Sequence, residues 1–127
     1  MTADDWKNVE EVLNRYYAVK LSIDNYDVTL RIIPHGMRLD ILVYVNGCVE
    51  ASDILNDTDI RRRFYQMHAN SVLTAKDKKL MRGISKAKQK EIEENSKFYW
   101  YEPFWQSFRS LKRHLIKNNT SIELVNS

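Results

Sequence analysis

Apolar residues recur at helical spacing near the start of the chain. Trp6 and Val9 are followed by further apolar positions at intervals of three to four residues, with polar or acidic residues between them. Thr2 and Asp5 form a capping-box pattern, in which Asp takes the position that Glu usually holds. The sequence therefore predicts a helix over about 3–15.

The hydrophobic period changes to two after Tyr16, which is typical of strands that bury one face. Alternation predicts three strands, over about 17–23, 28–32 and 39–45. Asn46 and Gly47 favour a type I′ hairpin turn, because both central residues of that turn need positive φ. We therefore expect residues 48–51 to return as a short fourth strand of an antiparallel meander over about 16–51.

Capping signals and amphipathic spacing dominate the rest of the chain. They predict a short helix capped by Ser52 or Asp53 and a second helix from Asp57 through Met67. A third helix, over about 75–95, begins at the capping box of Thr74 and Asp77. A fourth helix runs from Pro103 to about Lys117. Residues 121–125 follow as an edge strand. Strands followed by helices predict an α+β fold, in which a meander of three to four antiparallel strands carries the N-terminal helix and a helical C-terminal half on one face.

The length of 127 residues and the 43% share of apolar residues fit a single domain spanning 1–127. No apolar run approaches the roughly 18 residues of a membrane span, and the first residues are acidic, unlike a signal peptide. The lone Cys48 and three scattered histidines form no framework for a metal. We therefore expect a soluble cytoplasmic protein without a metal or cofactor.

Positive charge is concentrated in the middle of the chain. Residues 1–59 contain 5 basic and 11 acidic side chains, whereas residues 60–90 contain 10 basic side chains and Asp77 as their one acid. Residues 91–127 carry 5 of each sign. Such an excess attracts polyanions or acidic protein surfaces, so the distribution predicts a partner of that kind.

Five of these cations share one side of the helix predicted over 75–95. At 100° per residue they lie within an arc of about 120°, opposite apolar positions such as Leu80. They are Lys76, Lys79, Arg82, Lys86 and Lys90. Their span of about 21 Å is long enough to contact several phosphates of a nucleic acid, and Arg61, Arg62 and Arg63 extend the same patch. The alternatives are a solvated face without a partner and a face that binds an acidic protein.

Aromatic residues are dense just after the basic segment, where residues 98–108 contain seven rings. Rings beside cations are typical of proteins that bind single strands, because bases stack on the rings while Lys and Arg hold the backbone. The candidate binding residues are the rings that we expect to be exposed and the cations that follow them, which are Tyr99, Tyr101, Trp105, Arg109, Lys112 and Arg113. The alternative is core packing, since Phe104, Phe108 and Leu111 follow helical spacing.

Catalytic chemistry has little support in the sequence. His114, Asn118 and Asn119 are compatible with a small metal-dependent nuclease, but metal-assisted hydrolysis also needs carboxylates, of which the nearest are Glu102 and Glu123. We therefore expect a protein that is not an enzyme and keep the small nuclease as an alternative.

Residues 101–119, YEPFWQSFRSLKRHLIKNN, resemble the C-terminal ends of small proteins encoded by phages of Gram-positive bacteria. The resemblance covers about a seventh of the chain and assigns a role to none of its residues. It implies a phage or prophage accessory protein in the bacterial cytoplasm. Such proteins include stoichiometric inhibitors of host defence nucleases, among them anti-CRISPR proteins.

Charge and resemblance together predict a non-enzymatic binding protein. Its basic helical surface would dock on nucleic acid or a nucleoprotein, and the protein would inhibit a host defence nuclease in the manner of an anti-CRISPR protein. A second prediction, from a different class, is a phage structural or assembly protein that oligomerises through its aromatic C-terminal segment.

Overall fold

The computed structural model describes residues 1–71 and 73–125. They form two compact units. Unit 1 contains Met1–Gln66 and the described residues from Tyr101 onward, and unit 2 contains the described residues of Met67–Trp100. The expected single domain stays a prediction. No helix in the described part of the chain is long and apolar enough to cross a membrane.

The secondary structure is mixed, and the predicted α+β class is confirmed. In chain order the elements are α1 (Ala3–Asn14), β1 (Val19–Ile23), β2 (Tyr26–His35), β3 (Arg38–Val45), α2 (Ala51–Leu55), α3 (Asp59–Phe64), β4 (Gln66–Ser71), α4 (Ala75–Leu80), a 3-10 helix (Met81–Gly83), α5 (Lys86–Asn95), β5 (Lys97–Glu102), β6 (Phe104–Trp105), α6 (Phe108–Asn118) and β7 (Ile122–Leu124). The predicted N-terminal helix begins at its expected capping box, where Thr2 Oγ1 accepts from the Asp5 backbone N–H at 3.1 Å and the Asp5 carboxylate accepts from the Thr2 N–H at 3.0 Å.

The sheet of unit 1 has five antiparallel strands in the order β6-β3-β2-β1-β7. The three-stranded meander and the edge strand β7 are confirmed. The predicted fourth strand over 48–51 is wrong, because Cys48 makes only an isolated bridge with Val45 and α2 begins at Ala51. The free edge of β3 is instead occupied by β6 and by the carbonyl of Pro103, which accepts from the Val43 N–H at 3.0 Å.

The core of unit 1 lies between this sheet and the helices. The buried apolar residues come from α1, α3, α6 and the inward positions of the strands, and they include Trp6, Val9, Leu13, Leu21, Ile23, Leu30, Val43, Phe64, Leu111 and Leu115. Their period is 3 to 4 residues in the helices and 2 in the strands, as the sequence pattern requires. Burial on this scale removes each side chain almost entirely from water, which is worth about 1.5–3 kcal/mol per residue.

The last helix begins later than predicted. Pro103 does not start it, since the chain is extended through β6 and α6 begins only after Ser107, whose side chain accepts from the Ser110 N–H at 3.3 Å. Phe104 therefore lies in strand β6 and does not share the helix that contains Phe108 and Leu111. Proline lacks an N–H and fits a sheet edge as well as a helix start, so the serine cap decides the boundary.

Unit 2 contains most of the β4–β5 ribbon, two short helices and the 3-10 turn between them. β4 was not predicted, because the helix expected to run through Met67 ends at Phe64. The continuous helix expected over 75–95 is also wrong, since Ile84 is extended with φ −101° and ψ 149° and Ser85 caps a new helix.

The helix break has a local physical cause. Gly83 is a poor helix former, and the Ser85 side chain accepts from the Lys88 N–H at 3.3 Å, which starts α5. The Gln89 side-chain amide donates to the carbonyls of Met81 and Ile84 at 2.8 and 2.7 Å, so carbonyls that the break frees still have a donor.

Candidate nucleic-acid interface

The arginines of α3 are held by contacts within unit 1. Arg62 makes two hydrogen bonds to the Asp57 carboxylate at 2.8 and 2.6 Å. These hydrogen bonds lower the pKa of Asp57. Arg61 lies 3.7 Å above the ring centre of Tyr101 and donates to the Ile54 carbonyl at 2.9 Å.

Arg63 is the centre of a larger network. Its guanidinium donates to Asp59 and to Asp24, each at 2.7 Å, and Tyr26 donates its hydroxyl to Asp59 at 2.6 Å. The pKa of Asp59 is lowered by these contacts, first of all by the Tyr26 hydroxyl, and backbone N–H donors lower the pKa of Asp24. The three arginines of α3 are therefore partnered side chains, held by contacts within unit 1.

The cations of unit 2 have different surroundings. All five candidate residues are exposed, and within the described ranges none forms an ion pair with a carboxylate; they are Lys76, Lys79, Arg82, Lys86 and Lys90. Lys88 is the contrasting case, because its Nζ lies 3.7 Å from Glu91. The break at Ile84 means that the five do not form the continuous stripe expected on one helix. Lys76 and Lys79 lie on α4, Arg82 in the 3-10 turn, and the other two on α5.

The rings of the aromatic segment divide into buried and exposed ones. Trp105, expected to be exposed, is only 4% exposed and donates its indole N–H to the Phe64 carbonyl at 2.9 Å. That expectation is wrong, because β6 pairs with β3 and turns this ring into the core. Tyr101 is half-buried under Arg61. Tyr99 alone of the three expected rings is well exposed, at 53%.

Two further exposed rings were absent from the candidates. Phe98 is 47% and Trp100 is 38% exposed, and Trp100 stacks on His68 with ring centres 4.2 Å apart and planes at 18°. The alternation of Phe98 and Trp100 with Tyr99 and Tyr101 predicts a half-buried strand; the strand forms as β5, but Phe98, Tyr99 and Trp100 are all exposed, so the predicted half-burial is wrong. A strand with consecutive aromatic residues places rings on both of its faces, and the two-stranded ribbon leaves both faces exposed. That pattern was the available sequence signal.

The outer side of α6 is a second basic surface, and it lies in unit 1. Arg109, Arg113 and Lys117 are exposed at four-residue intervals around the exposed Ile116. Lys112 is half-buried, with its Nζ 5.7 Å from the ring centre of Trp6. In the described part of the chain these four cations have no carboxylate partner.

The histidines are engaged in local contacts. His35 Nδ1 lies 2.6 Å from the buried carboxylate of Asp40, and its ring stacks on Phe104 at 3.9 Å. His114 donates from Nε2 to the Arg62 carbonyl at 3.0 Å, and burial lowers its pKa. Among the described residues no group of three His, Cys, Asp or Glu side chains is arranged to hold a metal ion.

Comparison of the chain with protein families, curated proteins and solved structures finds no match.

Proposed function

We propose that this protein binds nucleic acid, free or within a nucleoprotein, through the exposed cations of unit 2, and that it does so as a binding protein without enzymatic activity. The observation that carries the proposal is a contrast between two groups of cations. The α3 arginines are held by carboxylates, a backbone carbonyl or a ring. The five cations on α4, the 3-10 turn and α5 have no carboxylate partner in the described part of the chain. An unpaired ammonium group is free to displace a counterion from a phosphate, which is the main source of affinity for nucleic acid.

The resemblance of residues 101–119 to phage proteins supports a more specific role. A small phage protein that occupies the nucleic acid of a host defence nuclease, or the nucleoprotein that contains it, would inhibit that nuclease. We propose this inhibitor role, similar to that of anti-CRISPR proteins, as the biological purpose of the binding. Bacteria with CRISPR immunity that produce the protein are expected to lose protection against a targeted phage.

The binding proposal is tested by reversing charges. We expect the fourfold variant Lys76→Glu, Lys79→Glu, Lys86→Glu and Lys90→Glu to bind a labelled 20-base-pair duplex roughly 100-fold more weakly at about 50 mM salt, because four attractions to phosphates are replaced by repulsions. The slope of log affinity against log salt concentration should become shallower by about 0.9 for each phosphate that the variant no longer neutralises. Fluorescence anisotropy measures both quantities.

The matched control reverses four exposed cations of unit 1, Lys7→Glu, Arg15→Glu, Lys20→Glu and Arg31→Glu, so that the net charge changes equally. Binding by this control should fall much less, since only the overall field is altered. Equal losses in the two variants, or wild-type affinity that does not depend on salt, would contradict the proposal.

The exposed rings of β5 favour a second candidate function, a phage structural or assembly protein. Phe98 and Tyr99 are each about half exposed, and rings are enriched where protein surfaces associate. This candidate requires a concentration-dependent oligomer. Sedimentation velocity over a hundredfold range of protein concentration distinguishes it, since a monomer throughout would exclude self-assembly.

A further inference from the structure

Unit 2 exposes three consecutive rings on a ribbon with little core behind it. Phe98 and Trp100 share one face of β5 and Tyr99 lies on the other, since side chains alternate along a strand. Their exposed fractions are 47%, 38% and 53%. Within the described part of unit 2, Met81 is the one buried apolar residue. A ring of this size normally buries 150–250 Å² in a core or an interface, so these three leave a large apolar area for a ligand.

Trp100 is held in a fixed orientation. His68 of β4 stacks against one side of its indole at 4.2 Å, with the two planes only 18° apart. Because the stack restrains the ring before any ligand arrives, less side-chain freedom is lost on binding. A flat, pre-oriented and partly exposed indole is a platform for another flat ring.

The same unit carries a clear excess of positive charge. Met67–Trp100 contains eight Lys or Arg side chains and four Asp or Glu side chains. A purely apolar partner would not need these cations, and a duplex would not need the rings, because its bases are stacked inside it. A single-stranded nucleic acid combines an anionic backbone with exposed flat bases, so it matches both features.

We propose that unit 2 binds single-stranded nucleic acid, with bases stacked on Phe98, Tyr99 and Trp100 while the lysines of α4 and α5 contact the phosphates. This inference rests on the proposed function and specifies its ligand. Stacking is tolerant of sequence because every base has a π face, so the ligand is defined by its single-stranded character. DNA and RNA strands share that chemistry.

The arrangement of tryptophans allows a direct test. Trp6 and Trp105 are buried, with 5% and 4% of their surface exposed, whereas Trp100 is 38% exposed. Trp100 is therefore the accessible indole. Titration with a 20-nucleotide dT or rU strand should quench its fluorescence, whereas a 20-base-pair duplex should quench it little. The two strands distinguish a DNA ligand from an RNA ligand, and quenching by either one supports the inference.

The variant Phe98→Leu, Tyr99→Leu and Trp100→Leu keeps apolar bulk and every charge but removes the π faces. We expect it to bind the single strand at least about 100-fold more weakly, since it loses the stacking of bases on three rings, while its affinity for the duplex stays unchanged. Trp100→Phe keeps a π face at this position and should retain the affinity of the wild type. The unchanged duplex affinity of the leucine variant shows that it still folds. Tyr16→Leu with Tyr17→Leu removes two exposed rings of unit 1 and is the matched control.

The outcomes separate this inference from the proposed function. If the lysine reversal weakens all binding and the leucine variant binds single strands as the wild type does, the protein binds nucleic acid but the stacking inference is overturned. If the wild type binds neither strand nor duplex, both fail. If the leucine substitutions dissociate an oligomer and leave single-strand affinity unchanged, the rings form an interface between copies and the inference is overturned.

Discussion

Unit 1 and unit 2 place similar side chains in opposite surroundings. In unit 1, Arg62 and Arg63 hold carboxylates at 2.6 and 2.7 Å, and Trp105 is inside the core. In unit 2, Lys76 and Lys90 are exposed with no carboxylate partner in the described ranges, and Trp100 lies at the surface. The chemical type of a residue therefore does not decide whether it stabilises the fold or is available to a ligand.

The contrast also reveals a sequence signal that charge counting overlooked. Asp59 precedes Arg63 by four residues on α3, and Asp57 lies just before α3, five residues ahead of Arg62, so each carboxylate is close to its arginine in sequence. Within 76–90 the one acid is Asp77, and its carboxylate accepts from the Thr74 N–H as part of a helix cap, while the acids that follow begin at Glu91, which pairs with Lys88. Segment 60–90 therefore combines two groups of cations with different surroundings.

The largest expected effect separates the two units by packing. Leu115→Ala removes a fully buried side chain of unit 1, so the free energy of unfolding should fall by about 2–5 kcal/mol. Leu80→Ala in unit 2 changes an exposed side chain and should cost no more than about 0.5 kcal/mol. Urea unfolding followed by circular dichroism measures both. A cost for Leu80→Ala as large as that for Leu115→Ala would contradict the comparison.

The second prediction separates the units by the role of their cations. Arg63→Met should lower the urea midpoint at pH 7, because Asp24 and Asp59 lose a donor that they contact at 2.7 Å. Lys90→Met removes an exposed cation with no described partner and should leave the midpoint unchanged.

The effect of Arg63→Met should also depend on pH. The folded pKa values of Asp24 and Asp59 lie below the ordinary value of 3.8, so their stabilisation is present above that pH and is lost as the pH falls through the lowered values. The difference in urea midpoint between Arg63→Met and the wild type should therefore become smaller in strong acid. A difference in urea midpoint that stays constant from pH 7 to about pH 2 would contradict this electrostatic contribution of Arg63.

The smallest expected effect concerns His114 of unit 1. Burial lowers its pKa below 6.5, and its neutral ring fits its contacts, with Nε2 donating to the Arg62 carbonyl and Nδ1 accepting from the Asn118 amide at 3.2 Å. As the pH falls below 6.5 the unfolded chain binds a proton that the folded chain does not, so stability should decrease. In the variant His114→Gln, the urea midpoint should change less between pH 7 and 5 than it does in the wild type. If the midpoint of the variant depends on pH as strongly as that of the wild type, His114 is not the cause of the pH dependence.

Local signals in the sequence predicted much of the fold. The capping boxes of Thr2 and Thr74 form as expected, and so does the Asn46-Gly47 turn, with φ angles of 53° and 83°. These signals act between residues at most four positions apart, so they are present in the sequence itself. The causes of the break at Ile84 are also local, since Gly83 has a weak helix propensity and Ser85 caps a new helix. The prediction of one continuous helix followed the one-sided spacing of the cations and did not include these two signals.

By itself the sequence determined the α+β class, the N-terminal helix, the three-stranded meander, the edge strand and the concentration of positive charge, because period, caps, turns and composition are properties of neighbouring residues. Only the tertiary structure decided the long-range partners of the cations and the burial of Trp105. Arg63 finds Asp24 across 39 residues, and Trp105 finds the Phe64 carbonyl across 41. Contacts at such separation depend on how distant elements pack, so no local pattern predicts them.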